Sequence, residues 1–225
     1  MIRFDIITIF PEMFPPVFND SILKRAQAAK KIVIKIHDLR DYAADKKRRS
    51  VDDRPFGGGP GMVLMAQPLF DAVRTIKGRR RAHVILTSPS GKTYTQETAK
   101  RLTKFRNLII ICGHYEGVDE RVLQVVNEEI SIGDYVLTGG EIPAMAMVDS
   151  VARLIPGVLG KQASLEQESF EGNVLEGPQY TRPADFRGAK APDVLLSGNH
   201  LAIKKWRKEQ ALFKTQKVRP DLLNK

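Results

Sequence analysis

Residues 108–117 read LIIICGHYEG, and the first five are apolar without a break. A run apolar at every position predicts a strand buried on both faces, the habit of parallel sheets. The run then breaks into Gly113 and stays polar until Gly117. A strand that ends in glycine offers bare main-chain N–H and C=O groups to a small ligand. Residues 131–141, SIGDYVLTGGE, run into glycine in the same way, and residues 84–91, VILTSPSG, end a third apolar stretch. Strand ends of this kind in one sheet predict a single crevice at its carboxyl edge. Specificity there would rest on main-chain hydrogen bonds to a heterocycle edge, which gives Gly113, Gly117, Gly133, Gly139 and Gly140 a physical purpose.

Outward from this run, residues 2–10 and 32–37 read as strands, and residues 129–137 contain another. Helices are expected at 17–29, 68–76, 95–105 (capped by Thr95), 118–126 and 142–155, the last stopped by Pro156. Residues 38–61 form a long polar loop. Strands and helices alternate, so residues 1–160 predict an α/β domain with a mostly parallel sheet. Residues 161–172, KQASLEQESFEG, lose the apolar period and read as an interdomain linker. Residues 173–225 read as a small helical C-terminal domain. Its clearest element is a helix at 200–214, with Ile203, Trp206 and Phe213 on one face and Gln210 completing the row.

The chain has 225 residues, 42% of them hydrophobic, and a formal net charge of +10. A core can form, and wholesale disorder is excluded. A balance this basic points to a polyanion, nucleic acid first. Basic residues concentrate at Lys46, Lys47, Arg48 and Arg49, and again between Lys204 and Arg219. Cys112 is the single cysteine, which excludes an internal disulfide and a cysteine-based zinc site. MIRFDIITIF does not read as a signal peptide, and no apolar run reaches the ~18 residues of a membrane span. A cytoplasmic protein with no membrane partner is the expectation.

Residues 52–62, DDRPFGGGPGM, place Gly57, Gly59 and Gly61 at nucleotide-loop spacing. No strand enters them and no Gly-Lys-Ser/Thr follows, so a Walker-type phosphate cradle is excluded. With Arg54 and the basic run before it, the segment reads as a loop that approaches RNA. His114 stands alone, without metal-ligand spacing, as a pocket-wall or RNA-facing residue. Glu116 beside the crevice suits a cationic ligand or a plain surface. Arg153, near the end of an apolar helix, needs an anion or a carbonyl, or else complements the helix dipole. Glu166, Glu168 and Glu171 fall in the linker, and no residue is assigned to a metal.

Taken together, IFPEMF (9–14), VDDRPFGGGPGM (51–62), CGHYEGVDER (112–121), SIGDYVLTGGE (131–141), RLIPGVLGKQAS (153–164), YTRP (180–183) and SGNH…KWR (197–207) are similar to the bacterial tRNA (guanine-N1)-methyltransferases of the SPOUT superfamily. The resemblance covers nearly the whole length. It implies an α/β domain threaded into a deep trefoil knot, an arrangement that is otherwise almost absent from proteins. It implies S-adenosylmethionine bound in bent form in that knot, and a homodimer with the active site between protomers. The implied substrate is guanosine 37 of tRNA, 3′ of the anticodon, and the implied product is 1-methylguanosine. On this resemblance Gly113 and Ile132, Gly133, Asp134, Tyr135, Val136 and Leu137 match cofactor-binding segments. Ser88, Pro89, Tyr115, Glu116, Gly117, Gly139, Gly140 and Pro143 match pocket-lining positions. Arg153 matches an arginine that steadies guanine O6, and Glu168 falls where the family has its general base. Magnesium dependence is implied too, at most as a weak, substrate-assisted site.

The chain departs from the family where Glu168 replaces an aspartate, where Gln179 replaces a histidine before YTRP, and where Leu86-Thr87 replaces a tyrosine–leucine pair. It also looks short at its C-terminus, which would alter some tRNA contacts. These departures leave two other readings open: an RNA-binding protein without catalysis on the same scaffold, and a knotted methyltransferase acting on another nucleoside.

Overall fold

The apolar run at 108–112 is the middle strand of a five-stranded sheet in which every pairing is parallel. The computed structural model describes residues 1–159 and 168–224. The chain divides into two units, Met1–Gly160 and Lys161–Lys225.

In the first unit β1 (Ile2–Thr8) leads into a short α1 (Pro15–Phe18) and then α2 (Ser21–Ala28). Residues 17–29 are thus two helices. Pro15 and Pro16 start the first, and Asp20 interrupts by accepting a hydrogen bond from the Ser21 N–H at 2.7 Å. Short polar side chains compete with helix bonds in this way. After β2 (Ile32–Asp38) comes a 3-10 turn, Leu39–Tyr42. Beyond it β3 (Asp52–Asp53) and β4 (Val63–Leu64) pair antiparallel, so the glycine loop is a hairpin tip. Next come α3 (Ala66–Lys77), β5 (His83–Thr93), α4 (Gln96–Leu102, capped by Thr95 as expected), β6 (Asn107–Cys112), β7 (Glu128–Ser131) and α5 (Glu141–Ala152). Residues 118–126 hold a 3-10 turn, Glu120–Val125, in place of the expected α-helix. Asp119 caps it, and the chain must be extended again by Glu128, which leaves no room for a longer helix.

The strand order is β2-β1-β6-β5-β7. Both faces of the sheet are covered. Along β6, Leu108, Ile110 and Cys112 enter one core with Met147, Val148 and Val151 of α5 and Leu102 of α4. Ile109 and Ile111 enter the other with Leu69, Val73 and Ile76 of α3. Each large aliphatic side chain buried this way contributes about 1.5–3 kcal/mol.

The second unit begins, among its described residues, with a tight turn at 168–176. The Phe170 N–H donates to the Val174 carbonyl at 2.7 Å, and the Glu176 N–H to Ser169 Oγ at 3.0 Å. A small ribbon pairs β8 (Asp185–Phe186) with β9 (Ala189–Lys190), followed by α6 (Asp193–Leu196) and the long α7 (His200–Val218). Asn199 caps α7 by accepting from the Ala202 N–H at 3.1 Å. Thr215 Oγ1 accepts from the Leu175 N–H at 2.8 Å, so residues near 175 lie along the helix. Phe213, expected on the packed face, is 62% exposed instead. Residues 160–167, which include Glu166 and most of the expected linker, lie outside the described residues.

Candidate functional site

The three glycine-bearing segments converge at the carboxyl edge of the sheet. β5 does not stop at Thr87. Residues 88–91 loop out, and the strand rejoins β7 with a register shift, Thr87 and Lys92 both opposing Ile130. Bulges of this kind re-aim a chain next to a site. Residues 113–117 are zipped on two sides. The Gly140 N–H donates to the Gly113 carbonyl at 2.7 Å, and His114 bridges to Gly139. On the other side the Leu64 N–H donates to the Gly117 carbonyl and the Glu116 N–H to the Met62 carbonyl, each at 3.0 Å. Between these segments lies a cleft of about 460 Å³, within the range of a small-ligand site.

Gly140 shows why glycine is required here. A Cβ at this position would collide with Thr87 Oγ1 and lie 2.8 Å from the Cys112 Cα and the Gly113 nitrogen. Thr87 Oγ1 in turn donates to the Ile111 carbonyl at 3.1 Å. The floor of the cleft is therefore backbone against backbone. Tyr115, on its wall, holds φ at +58°, a left-handed conformation uncommon for a tyrosine.

Sequence reasoning missed the side chain beneath this floor. Glu141 is 2% exposed and opens α5, where a helix N-terminus favours negative charge. Its Oε1 accepts from Thr8 Oγ1 of β1 at 2.7 Å, and its Oε2 lies 3.6 Å from His114 Nδ1. The signal available was a lone acid between a Gly-Gly pair and an apolar helix. The His114 ring sits 4.8 Å from that of Phe10 and edge-on to Tyr115 at 4.7 Å. Burial, with the Glu141 charge added, pushes the Cys112 thiol well above its ordinary range. Thiolate is the nucleophilic form, so Cys112 is no nucleophile at neutral pH. Past the cleft loop, Asp119 caps the Glu120–Val125 turn by accepting from the Arg121 N–H at 3.0 Å, and the Arg121 side-chain hydrogen bond holds its carboxyl down to about 2.

The structure brings Ser88, Pro89, Gly113, Tyr115, Glu116, Gly117, Ile132, Gly133, Tyr135, Val136, Leu137, Gly139, Gly140 and Pro143 to the lining of this one cleft. Asp134 is adjacent in sequence but does not line it. Arg153 ends α5 half-buried, its N–H donating to the Asp149 carbonyl at 3.1 Å. Glu168 is half-buried in the turn of the second unit, where its carbonyl accepts from the Glu171 N–H at 3.2 Å. Among the described residues no group of three or more His, Cys, Asp or Glu side chains could hold a metal ion, and no helix is long and apolar enough to cross a membrane.

A family model described as tRNA (Guanine-1)-methyltransferase TrmD matches residues 2–225. The chain is 58% identical over 225 residues to a protein of Dictyoglomus turgidum, covering 100% of this chain and 91% of the relative. It is 53% identical over 226 residues to one of Ruminiclostridium cellulolyticum, covering 99% and 97%, and 55% identical over 224 residues to one of Geobacillus kaustophilus, covering 99% and 91%. All three relatives are named tRNA (guanine-N(1)-)-methyltransferase.

Proposed function

The chain belongs to the tRNA (guanine-1)-methyltransferase TrmD family and methylates N1 of guanine in tRNA, and from that premise we propose where and how it does so. The substrate is guanosine 37, and the methyl donor is S-adenosylmethionine, held in the glycine-walled cleft. The observation that carries this reading is the cleft itself: a nucleoside-sized space of about 460 Å³ walled by strand-end backbone. The main chain of 113–117 and 132–140 would read the adenine edge, and the Glu116 carboxylate suits the positive sulfonium. When bound, the donor supplies an electrophilic methyl group.

Guanine N1 carries a proton at neutral pH, so a base must remove it before attack. Glu168 takes that role, and negative charge then develops toward guanine O6. Arg153 stabilises that oxygen as a fixed cation would an oxyanion. Glutamate is one methylene longer than the aspartate usual here but has a similar intrinsic pKa, about 4.3 against 3.9. The turn that carries Glu168 sets its reach. The site forms between protomers of a homodimer, the first unit carries the knot, and the second unit with Lys46–Arg49 holds tRNA phosphates. This assembly works in the cytoplasm, where tRNA is. The described residues do not fit a resident magnesium cage. A magnesium ion would take its ligands from phosphate and water, and no step here depends on it.

Incubation with S-adenosylmethionine and a tRNA transcript, followed by nucleoside mass analysis, is expected to give 1-methylguanosine at position 37. A different methylated nucleoside overturns the reading. Glu168→Gln is expected to lower kcat by roughly 10²- to 10⁴-fold while donor affinity, read by calorimetry, stays unchanged. Unaltered turnover would move the base elsewhere.

A further inference from the structure

The amino edge of the same sheet, opposite the cleft, carries a second charged surface. Residues 77–83 read KGRRRAH and enter β5, and residues 104–107 read KFRN and enter β6. The two entry loops lie side by side: Asn107 Nδ2 donates to the Arg81 carbonyl at 3.0 Å, and the Arg3 N–H donates to the Arg106 carbonyl at 2.9 Å. They enclose an open hollow of about 500 Å³ lined by Arg81, Lys104 and Arg106, among others, and by no acidic side chain. Arg79, Arg81, Lys104 and Arg106 are exposed, and among the described residues none of them forms an ion pair. The nearby acids are already engaged. Glu128 bonds His83 Nε2 and Arg101 Nη2, each at 2.6 Å. The buried Asp5 has Arg3, His37 and Arg80 around it.

Arg81, Lys104 and Arg106 line this hollow, with Arg79 two residues before Arg81 on the same entry loop, and an anion seated among these like charges relieves their mutual repulsion. Arginine forks suit phosphate oxygens, and such contacts position a nucleic acid without reading its sequence. From His83 to Thr87 the strand rises ~13 Å at ~3.3 Å per residue. A single tRNA spans such a distance, so one RNA can engage both edges of the sheet.

We propose that this amino edge is a docking surface for the phosphate backbone of the tRNA, separate from the cleft and from the basic segments at Lys46–Arg49 and on α7. The proposal rests on tRNA being the substrate.

The test combines Arg79→Ala, Arg81→Ala, Lys104→Ala and Arg106→Ala in the full chain. A companion variant keeps the charge, with Arg79→Lys, Arg81→Lys, Lys104→Arg and Arg106→Lys. Binding of fluorescent tRNA is followed by anisotropy between ~50 and ~200 mM salt. The neutral variant is expected to bind roughly tenfold more weakly at the low end, with a log–log salt slope shallower by about 2–3. The companion variant is expected to restore both, with donor affinity by calorimetry unchanged in each. An unchanged slope and affinity in the neutral variant overturn the proposal. So does equal loss in the companion variant, which would mark a structural role. Lost binding to phosphatidylserine vesicles with tRNA binding intact overturns it too. Wild-type formation of 1-methylguanosine is measured in parallel. Its absence would sink the methylation reading, while the anisotropy slopes still judge the surface.

Discussion

Asp5, 1% exposed, accepts Arg3 Nε and Nη2 at 2.6 and 2.7 Å and faces His37 Nε2 at 2.8 Å. Burial pushes its carboxyl up, but the His37 and Arg3 hydrogen bonds together pull it further down, below its ordinary value. The unfolded chain, with a value of about 3.9, takes up the proton first as pH falls. The stabilisation is therefore complete above that value and is lost as pH falls through the lower, folded one. Asp5→Asn is expected to reduce the unfolding free energy by about 1–3 kcal/mol at neutral pH. The gap should narrow below about pH 4. Urea titrations at neutral and acid pH measure both, and a gap constant with pH would take the carboxylate out of the account. Glu141 is the other deeply buried carboxylate of the first unit. Its hydroxyl partner, Thr8, is 133 residues away in the chain. No local pattern encodes a pairing at that separation, and only the laying of β1 beside α5 creates it.

At the scale of elements, the 139–140 turn and the entry to the 113–117 loop share one space with Thr87. Gly140→Ala forces a methyl into that space. It is expected to lower the unfolding free energy by about 1–3 kcal/mol and to weaken S-adenosylmethionine binding measured by calorimetry. Unaltered donor affinity would separate this turn from the binding surface. The alternation of 108–112 between two cores was legible because an all-apolar strand has one plausible home. The gathering of the three glycine segments was legible for the same reason, since parallel strands deliver their carboxyl ends to one edge. Other features were not. The resumption of β5 at Lys92 depends on pairing with β7 nearly forty residues later, which no short window contains. The turn at Glu120–Val125 has helical spacing in sequence, but Asp119 and the nearby start of β7 cut it short. On α7 the period was right and the face only partly so. Thr215 is buried against the segment near Leu175, while Phe213 points outward, because the covering strand of chain comes from outside the helix itself.

For the molecule as a whole, a formal charge of +10 sets up a long-range field that draws in a polyanion such as tRNA. Donor binding is linked to stability. At a hundredfold excess over its dissociation constant, a ligand that binds only the folded state adds ~2.7 kcal/mol. Thermal unfolding with graded S-adenosylmethionine should show the transition rising with concentration, and a flat response would leave the cleft without its ligand. The backbone floor at Gly113, Gly139 and Gly140 has one more consequence, for inhibition. A competitor that hydrogen-bonds to main-chain amides and carbonyls leans on atoms every codon specifies alike. Resistance could not come from swapping a side chain that the compound touches. At Gly140, any replacement that blocked the compound would also wedge open the enzyme's own scaffold.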